Sequence, residues 1–505
     1  MISFNHFFQS KSFIFYLFFD SISGQRNKMV VSTLEQWLWA MYQETPIHIV
    51  VEIFLIVFLF VLLLRQPEPA VKPTDLSYEE AENIIKEWKP LPIVPDISSS
   101  DDLSKLHPRI ISSGPSSTIV IDNRSAINFG TPNFLGLNMN QEIIDATITA
   151  VEKYAVGTGG PRQLYGTFDC HLELESKIAD WLGTEDSVNY IYPFSTIISV
   201  MQAFVKNTDI IFVDECSSFA IHLGADLSRC KIIPYHHNDM NDLKSKLSLQ
   251  RNSYERWDKC NRWVCTEGIF ECDGQVLELE KLISLRKEFC LRLIIDESLS
   301  FGSLGKTGRG IFEHFEIDHS KNVEIRIGSF SSCFASLGCF VACNKKLSQH
   351  QRLASQTYVF SASPPALNVI SVIKALEIAI GKGEEIIKTL RKNILLARNE
   401  LQNDRLIRKY FLIMGNDQSP MIHLRLVKPK RLEDEDKILQ TICDLCIDSE
   451  NDPVAVAKTK FVRERHTLAP RSSIKIFISP AHSEEQILAG ISTVKRAVST
   501  FFTKK

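Results

Sequence analysis

Strand-like and helix-like segments alternate through most of the chain, and this alternation limits the possible folds more than any other feature. Segments with helical spacing of apolar residues, at 171–182, 196–205, 279–289 and 365–380, separate runs rich in β-branched residues. Such alternation is typical of a mostly parallel sheet covered by helices. The sequence therefore predicts a large α/β domain over residues 110–383, with strands at 118–121, 187–191, 210–213, 232–234, 262–265, 291–295 and 324–327.

A smaller unit is predicted after the glycines at 381 and 383. Two strand-like runs, 421–426 and 474–478, come after a helical segment at 384–401 and are mixed with helical patterns at 433–447 and 484–500. Strands and helices in this order favour an α+β domain over residues 384–505.

An almost wholly apolar run covers residues 47–64, interrupted only by His48 and Glu52. A helix of this length rises about 27 Å, close to the thickness of a bilayer core. We therefore expect one transmembrane helix within an N-terminal segment, 29–66; a buried core helix is the alternative. Arg65 and Lys72 come after the run, whereas no Lys or Arg lies between Met29 and it, which predicts that the C-terminal body faces the cytosol.

The segment after the apolar run, residues 67–109, is predicted to hold a short amphipathic helix and a polar linker. Ser77 with Glu80 three residues later forms a capping-box pattern, and apolar residues then recur on one helical face up to Trp88. Residues 1–28 are rich in Phe and differ in composition from the rest of the chain, so we interpret them as an N-terminal extension of uncertain meaning.

Composition excludes some functions. The formal net charge is −3 without a long basic block, so nucleic acid is not expected as a partner. The 12 cysteines are scattered, which indicates reduced thiols rather than a disulfide framework. The Cys443-x-x-Cys446 pair has no second pair at zinc-site spacing, so we predict no metal site and interpret both as apolar-face residues of a helix.

A loop rich in small residues, at 328–338, lies between the strand-like runs 324–327 and 339–342. Loops placed by a rigid sheet often carry catalytic groups. This one contains hydroxyls and a thiol, but no Lys, His or carboxylate.

Six segments, in chain order, resemble motifs of the α-oxoamine synthases, which are fold type I pyridoxal-phosphate enzymes that join an amino acid to an acyl-CoA. They cover about residues 110 to 500 and are found at 157–175, 267–274, 296–310, 328–338, 360–365 and 481–485. Within that family, Tyr-Gly-Thr-Phe-Asp at 165–169 and Phe-Ser-Ala-Ser at 360–363 are most similar to the long-chain base subunit 1 branch of serine palmitoyltransferase. The resemblance implies an aminotransferase-like fold type I domain.

The resemblance also implies which catalytic residues this chain lacks. Ser332 stands where catalytic relatives have the lysine that holds pyridoxal phosphate, and a hydroxyl cannot form a Schiff base. Ser218 and Leu299 stand at two histidine positions, and Lys475 stands where relatives have an arginine for the substrate carboxylate. Asp296 matches the carboxylate that pairs with the pyridine nitrogen; a structural strand-end carboxylate is the alternative.

Other positions of the pattern are retained. Ser361 and Ser363 match hydroxyls that reach the cofactor phosphate of a partner subunit, although Ser363 could instead cap the next helix. Arg162 and Tyr165, in the glycine-rich loop 157–166, are expected at the shared cleft; an interface salt bridge is the alternative for Arg162.

Three hypotheses are consistent with these residues. In the first, the chain is a non-catalytic subunit of serine palmitoyltransferase in the endoplasmic reticulum membrane, with pyridoxal 5'-phosphate held by the catalytic long-chain base subunit 2. In the second, it is an active α-oxoamine synthase homodimer; in the third, it is a membrane scaffold or regulator. Small activating subunits and Orm-type regulators are implied as partners by the resemblance alone.

Overall fold

The computed structural model describes residues 36, 46–64, 77–90, 108–461 and 470–503. It divides into two compact units, residues 1–103 and 104–505. The helices are α1 Pro46–Leu64, α2 Tyr78–Glu87, α3 Gln141–Tyr154, α4 Asp169–Leu182, α5 Pro193–Phe204, α6 Phe219–Ser228, α7 Met240–Ser253, α8 Leu279–Phe289, α9 Ile311–His314, α10 Lys345–Ala354, α11 Gln356–Val359, α12 Ala366–Asn403, α13 Arg405–Tyr410, α14 Leu432–Ile447 and α15 Glu484–Thr503.

Within the described ranges, the strands form three sheets. They are β1 Thr118–Ile121, β2 Arg124–Asn128, β3 Asp186–Tyr190, β4 Ile210–Asp214, β5 Lys231–Tyr235, β6 Arg262–Glu267, β7 Arg292–Asp296, β8 Ile325–Ser329, β9 Cys339–Cys343, β10 Phe411–Met414, β11 Met421–Leu426, β12 Val454–Ala455, β13 Ala457–Lys458 and β14 Ile474–Phe477. The predicted alternation of strands and helices is confirmed.

The first unit contains α1 and α2. The predicted capping box is present, because the Glu80 amide donates to Ser77 Oγ at 3.3 Å and the Ser77 amide donates to Glu80 Oε2 at 2.9 Å. Helix α1 covers the predicted apolar run, and its side chains from Phe54 to Phe60 are exposed. Among the residues that the model describes, no helix meets the length and hydropathy of a membrane span. Residues 1–28 and the linker 98–102 lie outside the described ranges.

The second unit is built on a seven-stranded sheet in the order β3-β9-β8-β7-β6-β4-β5. Strand β9 is antiparallel to both of its neighbours, and the other pairings are parallel. The carboxyl ends of β4, β6, β7 and β8 therefore meet at one edge, which is where ligands bind in open α/β sheets. This confirms the mostly parallel sheet of a fold type I domain.

A second sheet, in the order β10-β11-β14-β13, contacts α13 and α14 and corresponds to the predicted α+β region. The predicted break at residues 381–383 is wrong, because α12 continues through it for 38 residues. Glycine in a helix costs about 1 kcal/mol relative to alanine. Buried residues on both sides, such as Leu376 and Leu390, offset that cost, and a Cβ on Gly383 would lie 2.7 Å from the Thr307 carbonyl oxygen. The predicted domain boundary at 383 lies inside this helix.

Candidate active site

A cavity of about 630 Å³ lies between the carboxyl edge of the large sheet and strands β13 and β14. Five positions singled out in the sequence all line it: Ser218, Asp296, Leu299, Ser332 and Lys475. Ser218, Asp296, Leu299 and Ser332 come at or after the ends of three strands of the large sheet, which the parallel topology brings to one edge, and Lys475 reaches the cavity from β14 of the second sheet. The structure therefore groups the predicted cofactor-side residues in one place.

Aromatic packing fixes the loop that carries Ser332. Phe330 and Phe334, on either side of it, are buried: the ring centroids of Phe330 and Phe340 are 5.6 Å apart, and Phe334 stacks on Phe301 at 5.1 Å. A Cβ on Gly328 would lie 2.3 Å from the Phe340 ring, so this strand end needs glycine. The loop is anchored in the core, and Ser332 is largely buried at the cavity wall.

Two buried carboxylates form the floor of the cavity. Asp296 ends β7 and accepts a hydrogen bond from the Ser298 amide at 2.9 Å. Glu267 ends the neighbouring strand in register with it and accepts from the Ser218 and Glu271 amides. Burial raises the pKa of Asp296 to about 6, and burial together with the charge of Asp296 raises the pKa of Glu267. Sequence reasoning missed Glu267 because its role depends on the strand register.

Three lysines line the opposite wall, and two of them are ion-paired. Lys475 on β14 lies 3.0 Å from Glu271, and Lys458 on β13 lies 3.7 Å from Asp436. Lys460 is exposed. Lys458 and Lys460 were missed by sequence reasoning, because β13 has only two residues and shows no strand pattern.

Pyridoxal phosphate, which the resemblance implies, does not fit the residues of this chain as a covalently held group. The cavity lining has the Ser332 hydroxyl where the resemblance places an amine, and Ser218 and Leu299 where it places two imidazoles. The cavity wall at the start of α5 has Pro193, which has no backbone N–H to donate to a phosphate, and the bulky Phe194. Of the residues in the described cavity lining that the resemblance assigns to the cofactor, Asp296 is the one that matches the expected residue type.

A second region contains the other predicted residues, away from the cavity lining. The loop 157–166 lies against the segment 360–365, with an isolated bridge between Pro161 and Ala362. The Ser363 amide and hydroxyl both donate to the Gly160 carbonyl at 3.0 Å, so Ser363 stabilises the contact between the loop and the segment. Its predicted capping role is wrong, because α12 begins at Ala366 with Pro365 as the cap residue. Ser361 is half-buried, and its hydroxyl reaches only the Ala362 carbonyl, at 3.4 Å.

Arg162 does not line an open cleft in this chain. It is buried, and its guanidinium donates to Glu175 Oε1 at 2.9 Å and to Thr167 Oγ1 at 3.1 Å. Glu175 also pairs with Arg352 at 3.2 Å. This ion pair lies within the chain, because an acceptor on α4 is within reach; the position of Arg162 at a cleft shared with a partner stays a prediction.

Large apolar side chains are exposed around the same loop. Tyr165 is 88% exposed, Phe360 82% and Leu164 68%. Single exposed apolar residues are ordinary, but a contiguous group typically marks an interaction surface. We call Leu164, Tyr165 and Phe360 the apolar patch.

The fold and cavity match a known class of protein. Residues 124–493 match the aminotransferase class I and II family. Serine palmitoyltransferase from S. paucimobilis, solved with a bound PLP–myriocin aldimine, superposes with a TM-score of 0.69 at 21% identity, over 78% of this chain and 93% of that one. An 8-amino-7-oxononanoate synthase from Francisella tularensis gives 0.58 at 20% identity, over 75% and 99%. The chain belongs to the aminotransferase class I and II family and has its fold.

Sequence comparison with curated proteins identifies a smaller group within this family. Long chain base biosynthesis protein 1b of Oryza sativa subsp. japonica is 34% identical over 455 residues, which cover 90% of this chain and 92% of that protein. Serine palmitoyltransferase 1 of Dictyostelium discoideum is 33% identical over 448 residues, covering 88% and 92%. Within the wider family, the chain belongs to the group of long chain base biosynthesis protein 1 and serine palmitoyltransferase 1.

Proposed function

We propose that this chain is the non-catalytic subunit of a serine palmitoyltransferase, the enzyme that condenses L-serine with palmitoyl-CoA to 3-ketosphinganine. One observation carries the non-catalytic assignment. Ser332, Ser218 and Leu299 line the same cavity as Asp296, so the amine and both imidazoles are missing around one retained carboxylate. Without a lysine at 332, this loop cannot hold the cofactor as a Schiff base.

The partner subunit, the catalytic long-chain base subunit 2, holds pyridoxal 5'-phosphate in this proposal. The present chain contributes the surface formed by the loop 157–166 and the segment 360–365. The apolar patch supports a partner there, and the half-buried hydroxyl of Ser361 lies beside it. Ser363 holds the two segments together through Gly160.

Cofactor trapping tests the proposal. The chain is purified alone and together with the catalytic subunit, incubated with pyridoxal phosphate, reduced with borohydride and mapped by mass spectrometry. We expect an adduct on the partner and none on this chain. A stoichiometric adduct on a lysine of this chain would contradict the proposal.

An active homodimer is the second candidate, because Lys458, Lys460 and Lys475 line the cavity. Lys475 and Lys458 each lie beside a carboxylate, Glu271 and Asp436, so neither amine is free to react with a carbonyl in this arrangement, which argues against this candidate. The same mapping separates the candidates, since this one requires an adduct at 458, 460 or 475. The scaffold alternative instead predicts that Ser361→Ala leaves turnover of the reconstituted pair unchanged.

Attachment to the endoplasmic reticulum membrane through α1, as a single pass with the body on the cytosolic side, belongs to the same proposal. The exposed apolar side chains along α1 support it. The test is membrane fractionation of a variant lacking residues 46–64, with protease protection of the body. Recovery of the variant in the membrane fraction at the original level would contradict a role for α1. Small activating subunits and Orm-type regulators are sought by co-purification with the full-length chain and with the variant that lacks residues 46–64.

A further inference from the structure

Three potential metal ligands converge at the carboxyl edge of the large sheet, outside the cavity lining. The Sγ atoms of Cys216 and Cys272 and a ring nitrogen of His237 all lie within 4.8 Å of one another. Cys216 comes after β4, His237 after β5 and Cys272 after β6. Their distance in sequence hid them from any search for linear zinc motifs, because only the parallel sheet brings these three loops together.

A carboxylate orients the imidazole toward the thiols. His237 Nδ1 lies 2.9 Å from Asp214 Oδ1, and Asp214 is itself held by the amides of Cys216 and Asn238 at 2.8 and 2.6 Å. This leaves Nε2 facing Cys272 Sγ at 4.0 Å. Histidines that bind metals typically donate their other ring N–H to a carboxylate in this way, which fixes the tautomer and the ring direction.

A carboxylate lies next to the imidazole, outside the group of three whose donor atoms are all within 4.8 Å of one another. Asp273 Oδ2 is 3.2 Å from His237 Nε2, and the Asp273 side chain is almost fully buried. Without a metal, the imidazole bridges Asp214 and Asp273 as an ion pair. A cation in the centre would replace the contact between Nε2 and Asp273, with both groups then turning to the metal.

We propose that Cys216, His237 and Cys272 form a structural zinc site, with Asp273 turning in from its contact with His237 as the fourth ligand. Two thiolates, one imidazole and one carboxylate are the ligand types that favour Zn²⁺ in tetrahedral geometry, and four protein ligands leave no open catalytic position. Cys216 is partly exposed, which gives the ion a route in.

A zinc ion at this site would stabilise the wall of the cavity from outside the cavity. Cys216 lies two residues before Ser218, and Cys272 comes directly after Glu271; Ser218 and Glu271 both line the cavity. Zinc would therefore tie together two loops of the cavity wall, and this role does not depend on which subunit carries the cofactor.

Metal analysis of the full-length chain tests the proposal. After exchange against Zn²⁺ and removal of excess ion, we expect about one zinc per chain in the parent and in Cys290→Ser, a matched control whose thiol is exposed and outside the cluster. Cys216→Ser and Cys272→Ser should lose it, and Asp214→Asn should weaken zinc binding by about 10–100-fold. No zinc in the parent, or undiminished zinc in both cluster variants, would overturn the site.

A measurement on the parent chain covers the case in which the variants do not fold. Co²⁺ should give a thiolate charge-transfer band and the strong visible bands of a tetrahedral site. Zn²⁺ should slow iodoacetamide labelling of Cys216 at least tenfold and leave labelling of Cys290 unchanged. A Co²⁺ spectrum without thiolate bands, or equal labelling with and without Zn²⁺, would exclude these ligands.

Discussion

At the residue scale, Ser332 and Ser361 separate the roles of the two regions. Ser332 lines the cavity at the position where the resemblance places the lysine, and in the proposed function this cavity is not catalytic, so Ser332→Ala should change turnover of the reconstituted pair by less than about twofold. Ser361→Ala should lower kcat at least about tenfold, because it removes a hydroxyl proposed to act on the partner's cofactor phosphate. Steady-state kinetics of the reconstituted pair measure both. A larger loss of kcat for Ser332→Ala than for Ser361→Ala would mean that the cavity of this chain is the catalytic one.

Asp296 is a buried carboxylate on the floor of the cavity, and its pKa has a testable consequence. Its folded-state pKa of about 6 lies above the ordinary value of 3.8, so the native chain keeps a proton that the unfolded chain loses. This contribution to stability is complete below pH 3.8 and is lost as pH rises through about 6. Above neutral pH, the buried charge costs up to about 3 kcal/mol.

Asp296→Asn should therefore raise Tm at about pH 8 and leave it nearly unchanged at about pH 4. An asparagine Oδ1 can still accept the Ser298 amide. Thermal unfolding of the chain alone across this pH range is the measurement, and Asp318→Asn, an exposed carboxylate, is the control. A fall in Tm at pH 8 would mean that the carboxylate is needed as an ion.

Arg162 shows what a sequence pattern cannot predict. The pattern placed it at a cleft, but its contact with Glu175 depends on how α4 packs, which no local motif specifies. Arg162→Ala should destabilise the chain alone by about 3 kcal/mol, the low end for a broken buried pair, because Arg352 still contacts Glu175. Urea unfolding is the measurement. Unchanged stability with lost turnover would restore the cleft interpretation.

At the element scale, the loop 157–166 and the segment 360–365 behave as one unit. A Cβ on Gly166 would lie 1.9 Å from the Gly160 carbonyl oxygen and 2.3 Å from Ser363 Oγ, whereas nothing lies within 4 Å at Gly157. Gly166→Ala should therefore destabilise the chain by about 1–3 kcal/mol and weaken subunit association. Gly157→Ala is the matched control for stability. Equal stabilities, measured by thermal unfolding, would show that this close approach is dispensable.

Helices and strands with a strong periodic pattern were predicted correctly from the sequence. Elements whose presence or bounds depend on tertiary packing were not. The core strand β4 lies within one residue of its predicted bounds, because its apolar run is fully buried. Helix α12 was divided in two because its glycines suggested an end, whereas burial on both sides of them carries it through. Strand β13 was missed because two residues show no alternation.

At the scale of the whole molecule, the candidate cavity was largely predictable and the metal-ligand cluster was not. Ser218, Asp296 and Ser332 lie at the ends of strands whose order and direction the α/β pattern already indicated, so their meeting at one edge is a consequence of topology. His237 and Cys272 come after such strands too, and both lie in segments that carry the resemblance, but no pattern in the sequence joined them to Cys216 as metal ligands. The apolar patch was only partly visible in the sequence, since exposure of Tyr165 and Phe360 depends on how their loop and segment pack.

The apolar patch leads to a prediction about how this chain assembles with the catalytic subunit. A stable subunit interface needs desolvated aromatic anchors near its centre, and Tyr165 and Phe360 are large and exposed in the chain alone. Tyr165→Asp combined with Phe360→Asp should weaken co-purification with the catalytic subunit by at least about 100-fold, because it would bury two charges at the interface. Affinity capture with quantified partner recovery is the measurement.

The chain alone should keep its Tm, because neither side chain contributes to its core. Leu249→Asp is the matched control: it introduces the same charge at an apolar residue of α7 that is 61% exposed and outside the patch. It should leave recovery of the partner unchanged. Full recovery with the double variant would move the subunit interface elsewhere on the fold, and it would remove the support that the patch gives to a site shared between two chains.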